Sequence, residues 1–419
     1  MAVATEEMAQ APHAPAYLLG LLAFVGFVTL FEGYDLLIIN LALPALGREF
    51  GVDAAVLGKA VGIINIGTIV AFIPVRLADR FGRRRVFLWA IALYTLFTLV
   101  SAFSVGLTDF VVWQFLARMF MVTEIGVGAI ILTEEMPARY RGAAVTFMFA
   151  LSLAGGILGS ALHPWLSGSE FGWRALYLFG GVVLPVLLVG WPWLRETRRY
   201  AAQPAGAPRV GLLALFDALF ALLRSRHRGR VLAGASLWFA VNAWSSSCLF
   251  FFAWYVTNER QWDAAAVSQA LTLGYALAIV GYASGGAMLD AVGRRVTASL
   301  FFSVGALAAW VCFTASDART ITIAYVVVLG MHALWPVAAT ITSEMFPTEV
   351  RATANALVNN LLGRTGMALA PAVVGVLSAW LGSVGKAVSL VALVPLACLP
   401  VILFALTESR GKELERLND

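Results

Sequence analysis

The chain has 419 residues, of which 60% are apolar and only 13% charged, with a net charge of +5. A soluble domain is about 45–50% apolar and about 25% charged, so a water-soluble globular fold is excluded and most of this surface is built for lipid. A β-barrel is excluded too, because its roughly ten-residue alternating segments are absent. The sequence predicts an all-α membrane protein.

In chain order, runs of about 20 apolar residues, the length a helix needs to cross the hydrocarbon core, fall in twelve places. They are 17–42, 54–77, 86–105, 108–134, 142–166, 173–194, 231–256, 264–288, 296–316, 320–343, 353–380 and 384–405. The tail 1–16 holds no Lys or Arg and the first run is too long for a signal h-region, so no cleavable secretory signal is expected. Span 1, "LLAFVGFVTLFEGYDLLIINLALPAL", carries Glu32 and Asp35 in mid-run. A charge at that depth costs at least about 2.5–3.5 kcal/mol, so such residues usually serve a purpose. Their spacing puts both on one face of a helix. Two carboxylates so close are expected to titrate as a coupled pair, which is a workable proton carrier; a structural pair locked by an Arg is the plainer alternative. Arg118 in span 4 is the expected partner and shares a face with Gln114. Glu124, six residues further on, lies about 120° away on the wheel. A second proton site, a cation ligand and a carboxylate paired to another helix all remain open for it.

The polar stretch 195–230, with "RETRRYAAQPAGAPR" and "RSRHRGR", separates six spans (17–194) from six more (231–405), and a tail of 406–419 follows. In span 7, Trp238, Asn242 and Ser245 share a face, as do His332 and Trp335 in span 10. Stacking with hydrogen bonding suits an aromatic or small polar ligand, although packing is the commoner role of each residue alone. In span 11, "NNLLGRTGMALAP" places Asn360 and Arg364 four apart, a guanidinium fork beside an amide, which suits a carboxylate. Asn40, Asn65, Tyr275 and Tyr282 are softer candidates, and His13 and His163 carry no reading. Cys248, Cys312 and Cys398 lie in apolar runs without pairing or metal spacing and are expected to be small core hydrophobes.

Topology follows from the basic residues. With both ends cytoplasmic, 21 of the 29 Lys and Arg fall on inward loops and tail and six on outward loops, leaving Arg118 and Arg364 inside spans. The same placement explains the net positive charge without nucleic acid. The halves also repeat. "RLADRFGRRR" aligns with "AMLDAVGRR", so that Asp79, Gly82 and Arg83 fall on Asp290, Gly293 and Arg294 (290 − 79 = 211). "EEMPARYRG" aligns with "EMFPTEVRA", so that Glu134 and Arg141 fall on Glu344 and Arg351 (351 − 141 = 210). "LRETRRY" aligns with "LTESRG", so that Glu196 falls on Glu408 (408 − 196 = 212). Parallel repeats imply two similar six-helix bundles.

These residues resemble the major facilitator superfamily over essentially the whole chain. "RLADRFGRRR" is similar to its loop 2–3 signature, with Val75 where the leading Gly belongs; the second copy keeps that Gly as Gly286 but has Ala291 in the Arg position. "PARYRG" and "LTESRGKELE" are similar to motifs of its sugar-porter and organic-ion branches, with Thr407 in place of the usual Pro. "FEGYD" resembles the span 1 pattern of aromatic-acid/proton symporters, with Glu32 replacing an Asp. Gly363, Arg364, Gly366 and Pro371 resemble the span 11 pattern of organic-acid symporters. The family's span 4 Arg falls on Gln114, one turn before Arg118.

The resemblance implies the major facilitator fold, twelve helices in two six-helix bundles with both termini cytoplasmic. It implies a secondary transporter, not an enzyme, coupling a small organic anion to protons by alternating access. Substrate would sit at the midplane on Arg364, Asn360, Asn242, Trp238, His332 and Trp335. Glu32, Asp35, Arg118 and Glu124 would carry the coupling. Asp79, Gly82, Arg83, Glu134 and Arg141, with Asp290, Gly293, Arg294, Glu344 and Arg351, would form a cytoplasmic gate; a charge-dense topology anchor is the alternative. Protons are the only coupling species expected, with no metal, cofactor or nucleic acid, in a monomer in the plasma membrane, of a bacterium by preference. No Gly-x-x-x-x-Gly-Lys-Ser/Thr run is present, which counts against ATP-driven pumping. A sugar or polyol symporter, a proton antiporter exporting cationic or amphipathic drugs, and a membrane sensor on the same scaffold are the rivals.

Overall fold

The computed structural model describes residues 15–137, 139–202, 212–406 and 408. His13, Arg209, Thr407 and the C-terminal residues 409–419 lie outside the described residues. Within them are twelve helices long and apolar enough to cross a membrane. The first six are Pro15–Phe50, Ala54–Phe81, Arg83–Ser101, Leu107–Glu135, Arg141–Ser167 and Arg174–Trp193. The second six are Arg228–Asn258, Ala264–Val292, Arg294–Thr314, Ala318–Glu344, Thr353–Leu381 and Val384–Ala405. These are spans 1 to 12. Lipid offers the backbone no hydrogen bonds, so each apolar run must satisfy its own amides and carbonyls, and helices follow. The all-α twelve-span expectation holds. Helix ends run past the apolar cores: span 1 continues to Phe50 and carries Arg48 and Glu49 beyond the apolar run. Polar caps finish other ends, as where the Asp317 carboxylate accepts from the Thr320 amide at 2.8 Å and opens span 10. That bond holds the Asp317 carboxyl below the usual carboxylate range. Between spans 6 and 7 a further helix, Leu212–Arg224, buries Leu219 and Leu222 while Asp217 and Phe220 stay exposed.

The chain divides into two compact units. One takes Met1–Ile38 with Val70–Val210, and the other takes Ile39–Ile69 with Gly211–Asp419. In the first unit, spans 1 and 5 meet backbone to backbone: a Cβ at Gly33 would lie 1.8 Å from the Ser152 carbonyl, and one at Gly155 would lie 1.8 Å from that of Leu30. In the second unit, the outer half of span 1 and most of span 2 pack on spans 7 and 11. A Cβ at Gly58 or Gly62 would collide with the Pro371 or Ala368 carbonyl. Small residues commonly make such close membrane-helix crossings. Asn65 donates to the Met367 carbonyl at 3.1 Å, and Asn40 accepts from the Ala253 amide at 3.1 Å. Those two asparagines therefore tie helices together in the outer half of the second unit.

Candidate functional site

The first unit has a polar interior built by spans 1, 3, 4, 5 and 6. Glu32 is 1% exposed and accepts from the Ser152 hydroxyl at 2.7 Å, because the Gly33–Gly155 crossing brings span 5 against it. Asp35 is 8% exposed and accepts from the Thr98 hydroxyl of span 3 at 3.2 Å. Its other oxygen faces Gly180 of span 6 and has no hydrogen-bond partner. The shared helical face is thus split between two neighbours: Glu32 is fixed toward span 5 and Asp35 toward spans 3 and 6. Arg118, 3% exposed, lies within electrostatic reach of Glu32, Tyr177 and Asp35. Gln114, where the family motif places its Arg, donates instead to the Ser101 hydroxyl at 2.9 Å. The one-turn shift therefore leaves a cation among the acids. Glu124 is 0% exposed, and neither carboxyl oxygen has a hydrogen-bond partner.

The second unit carries the predicted aromatic and amide groups on spans 7, 10 and 11. Trp238 packs edge-on against Trp335, centroids 5.5 Å apart, and donates its indole N–H to the Thr342 hydroxyl at 3.1 Å. The Ser245 hydroxyl lies 3.0 Å from His332 Nε2, and Nδ1 lies 3.2 Å from the Val328 carbonyl. A carbonyl can only accept, so Nδ1 carries the proton and Nε2 accepts from Ser245. Both ring nitrogens of His332 are thereby engaged within the protein, and the Ser245 bond links spans 7 and 10. Asn242 spends its amide N–H on the Trp238 carbonyl at 2.7 Å, which leaves its buried Oδ1 unpartnered.

Span 11 departs from the regular helix read in the sequence. Ala356–Gly363 is π-helical, and the Arg364 amide bonds to the Asn359 carbonyl five residues back. Such widened turns are rare and concentrate at functional sites. The wider register sets Asn359, whose buried Oδ1 has no partner, beside Asn360 in the turn before Arg364. Asn359 was not singled out by spacing, because the α-helical period pairs Arg364 with Asn360 alone. The flanking glycines explain the placement. A Cβ at Gly363 would lie 2.4 Å from Trp238 Cβ, and one at Gly366 would lie 2.3 Å from the Phe239 carbonyl. Span 11 thus lies flat on span 7 along Gly363 and Gly366, the positions that flank Arg364. Arg364 also donates to the Thr68 carbonyl of span 2 at 3.4 Å. Gly366→Leu must push spans 7 and 11 apart, so binding of any ligand on Arg364 is expected to fall at least about tenfold in a filter-binding assay. Wild-type binding by that variant would contradict the placement.

At the cytoplasmic ends the sequence repeat becomes a structural one. Gly82 and Gly293 both adopt left-handed backbone, with φ of 100° and 96°. Behind them Glu196 accepts from the Arg84 amide at 3.0 Å, and Glu408 accepts from the Arg294 and Arg295 amides at 2.9 and 3.1 Å. Each carboxylate caps the free N–H groups of span 3 or 9 and meets the positive end of its dipole. Arg83 then pairs with Asp79 at 3.0 Å and Glu134 at 3.5 Å. Arg294 pairs with Asp290 at 3.4 Å and Glu344 at 2.8 Å. Both networks close within their own unit. Arg351 donates to the Phe346 carbonyl at 3.2 Å, whereas Arg141 forms no hydrogen bond or ion pair among the described residues. The capping role of Glu196 and Glu408 was missed in the sequence, although their 212-residue spacing marked them. Gly82→Ala would strain the backbone and drive a methyl into Glu196, costing about 1–3 kcal/mol. It is expected to lower the Tm of the purified protein, and an unchanged Tm would contradict the argument.

Twelve candidate spans in a doubled arrangement, with ionisable side chains buried among them, suit a secondary transporter. The chain belongs to the Major Facilitator Superfamily, whose model matches residues 25–331 and 235–418. It is 27% identical to the 4-hydroxybenzoate transporter PcaK of Pseudomonas aeruginosa, over 85% of this chain and 83% of that protein. It is 24% identical to the niacin transporter NiaP of Acinetobacter baylyi, over 95% of each chain. The fold matches the inward-open conformation of the xylose transporter XylE from E. coli with a TM-score of 0.74, at 17% identity, over 96% of this chain and 99% of that one.

Proposed function

We propose that this protein takes up a small aromatic monocarboxylate together with protons, across the inner membrane of a bacterium. One observation carries the reading. Arg364 is the only Arg or Lys in the middle of spans 7–12 among the described residues, on the span that packs against the one carrying Trp238 and Asn242. A planar guanidinium fork matches a carboxylate, while Trp238 and Trp335 offer faces and edges to an aromatic ring. The carboxyls needed for coupling, Glu32 and Asp35, lie in the other unit beside Arg118. Proton loading of these acids would release Arg118 from them, and charge release inside would reset them. The aromatic-acid relatives named above support this substrate class, since 4-hydroxybenzoate and niacin are both aromatic carboxylates.

The test is a counterflow panel in proteoliposomes with 4-hydroxybenzoate, xylose and a lipophilic cation as competitors. Competition by 4-hydroxybenzoate alone is the expected result. Competition by xylose alone would replace the anion reading with a sugar porter, and competition by the cation alone would point to an exporter.

A further inference from the structure

Glu124, which the sequence groups with the coupling residues, has no step in the uptake cycle proposed above, and it is the most completely buried acid among the described residues of the first unit. A carboxylate in an apolar interior with no hydrogen bond to either oxygen is costly, and a group so placed survives by binding a proton or a counter-charge. Among the described residues, no basic side chain acts on it. The ionisable groups that act on it are Glu32 from span 1 and Tyr94 from span 3. Further along span 4, Gly126 lies against Val75 of span 2, and Gly128 against Phe87 of span 3 and Val25 of span 1. Its electrostatic neighbours are thus an acid and a phenol, which favours a bound proton over an ion pair; no metal-holding group of three or more His, Cys, Asp or Glu occurs among the described residues.

Depth gives the site a direction. Span 4 runs from the outer to the inner face, so Glu124 lies six residues, about 9 Å, closer to the cytoplasm than Arg118. Span 1 runs the other way, which sets Glu32 inward of Asp35. Tyr94, with a buried and unpartnered hydroxyl, lies within electrostatic reach of Asp35, Glu124 and Glu32 together.

We infer that Glu124 is a second proton-binding site, on the cytoplasmic side of the Asp35–Arg118 cluster, through which the coupled proton leaves. The inference rests on the proton-coupled reading. The O–H bond of the Asp35 or Glu32 acid breaks and an O–H bond forms on the Glu124 carboxylate. Tyr94 is the bridging hydroxyl, and Glu124 then gives the proton to cytoplasmic water. Proton number and charge balance at each step, and no other reactant is needed.

The experiment compares wild type, Glu124→Gln, Tyr94→Phe and Asp35→Asn in proteoliposomes, with labelled 4-hydroxybenzoate as the probe. Gln mimics the protonated acid but carries no proton. Glu124→Gln is expected to lower proton-driven accumulation about tenfold more than it lowers counterflow, because only accumulation needs the proton to leave. Tyr94→Phe is expected to shift the same ratio in the same direction. A Glu124→Gln ratio equal to that of wild type would overturn the inference and make the acid a structural one. Infrared difference spectra after a pH jump give a readout independent of transport. Wild type is expected to show a carboxyl C=O band that Glu124→Gln removes and Asp35→Asn retains; spectra identical in wild type and Glu124→Gln would overturn the inference. Failure of the wild type to move protons with 4-hydroxybenzoate would defeat the symport reading, while the infrared band would still decide whether Glu124 binds a proton.

Discussion

Asp35→Asn is expected to abolish accumulation of substrate against its gradient, lowering proton-driven uptake by about 100-fold or more. The substitution is close to isosteric. Its amide oxygen can still accept from Thr98, which now bonds Asp35 at 3.2 Å, so the crossing of spans 1 and 3 is preserved. What disappears is the exchangeable proton beside Arg118. Without it, Arg118 keeps one fixed environment, and neither proton loading nor release can bias the cycle. Counterflow, which needs no net proton movement, is expected to suffer far less. Uphill accumulation at the wild-type level by Asp35→Asn would remove Asp35 from the coupling and leave Glu32 as the candidate.

Arg364→Ala carries the second large effect. A charge-assisted hydrogen bond contributes about 1.5–3 kcal/mol, so removing the fork is expected to weaken 4-hydroxybenzoate binding by about 10- to 100-fold. Arg364→Lys is expected to recover only part of it, because an ammonium has no planar fork to match a carboxylate. Loss of the Arg364–Thr68 bond adds a looser contact between spans 11 and 2, which an aromatic acid at saturating concentration would not restore. Titration of intrinsic tryptophan fluorescence with 4-hydroxybenzoate reads both variants. Binding by the Lys variant equal to that of wild type would show that charge alone matters at this position.

The fold was legible because lipid leaves the backbone few choices. Runs near 20 residues, inward-loop arginines and the 210–212-residue repeat define twelve spans and their orientation before any contact is known. The candidate site was legible in its members and less so in its geometry. Glu32, Asp35, Arg118 and Arg364 announce themselves as charges in apolar runs. Their directions depend on which helices cross nearby: Gly33 and Gly155 bring Ser152 to Glu32, and nothing in the spacing of span 1 encodes that. The helical wheel placed the two acids together, and tertiary packing gave them separate donors. The π-helical stretch in span 11 was invisible for a similar reason. Its apolar pattern reads equally well with four or five residues to the turn, and the register is settled by Gly363 and Gly366 against span 7. Asn40 and Asn65 carried a ligand-like signature and turned out to bond backbone groups of other helices. Glu196 and Glu408 could have been assigned from the repeat alone, since an acid recurring opposite a Gly-Arg-Arg helix start has free amides to cap.

The most direct test of proton-coupled anion uptake uses the purified protein in liposomes holding a pH-sensitive dye, with equal pH on both sides. On addition of 4-hydroxybenzoate the account predicts internal acidification faster than in protein-free liposomes, lost in Asp35→Asn and in Arg364→Ala. Acidification no faster than in protein-free liposomes, or internal alkalinisation driven by a lipophilic cation in its place, would contradict it.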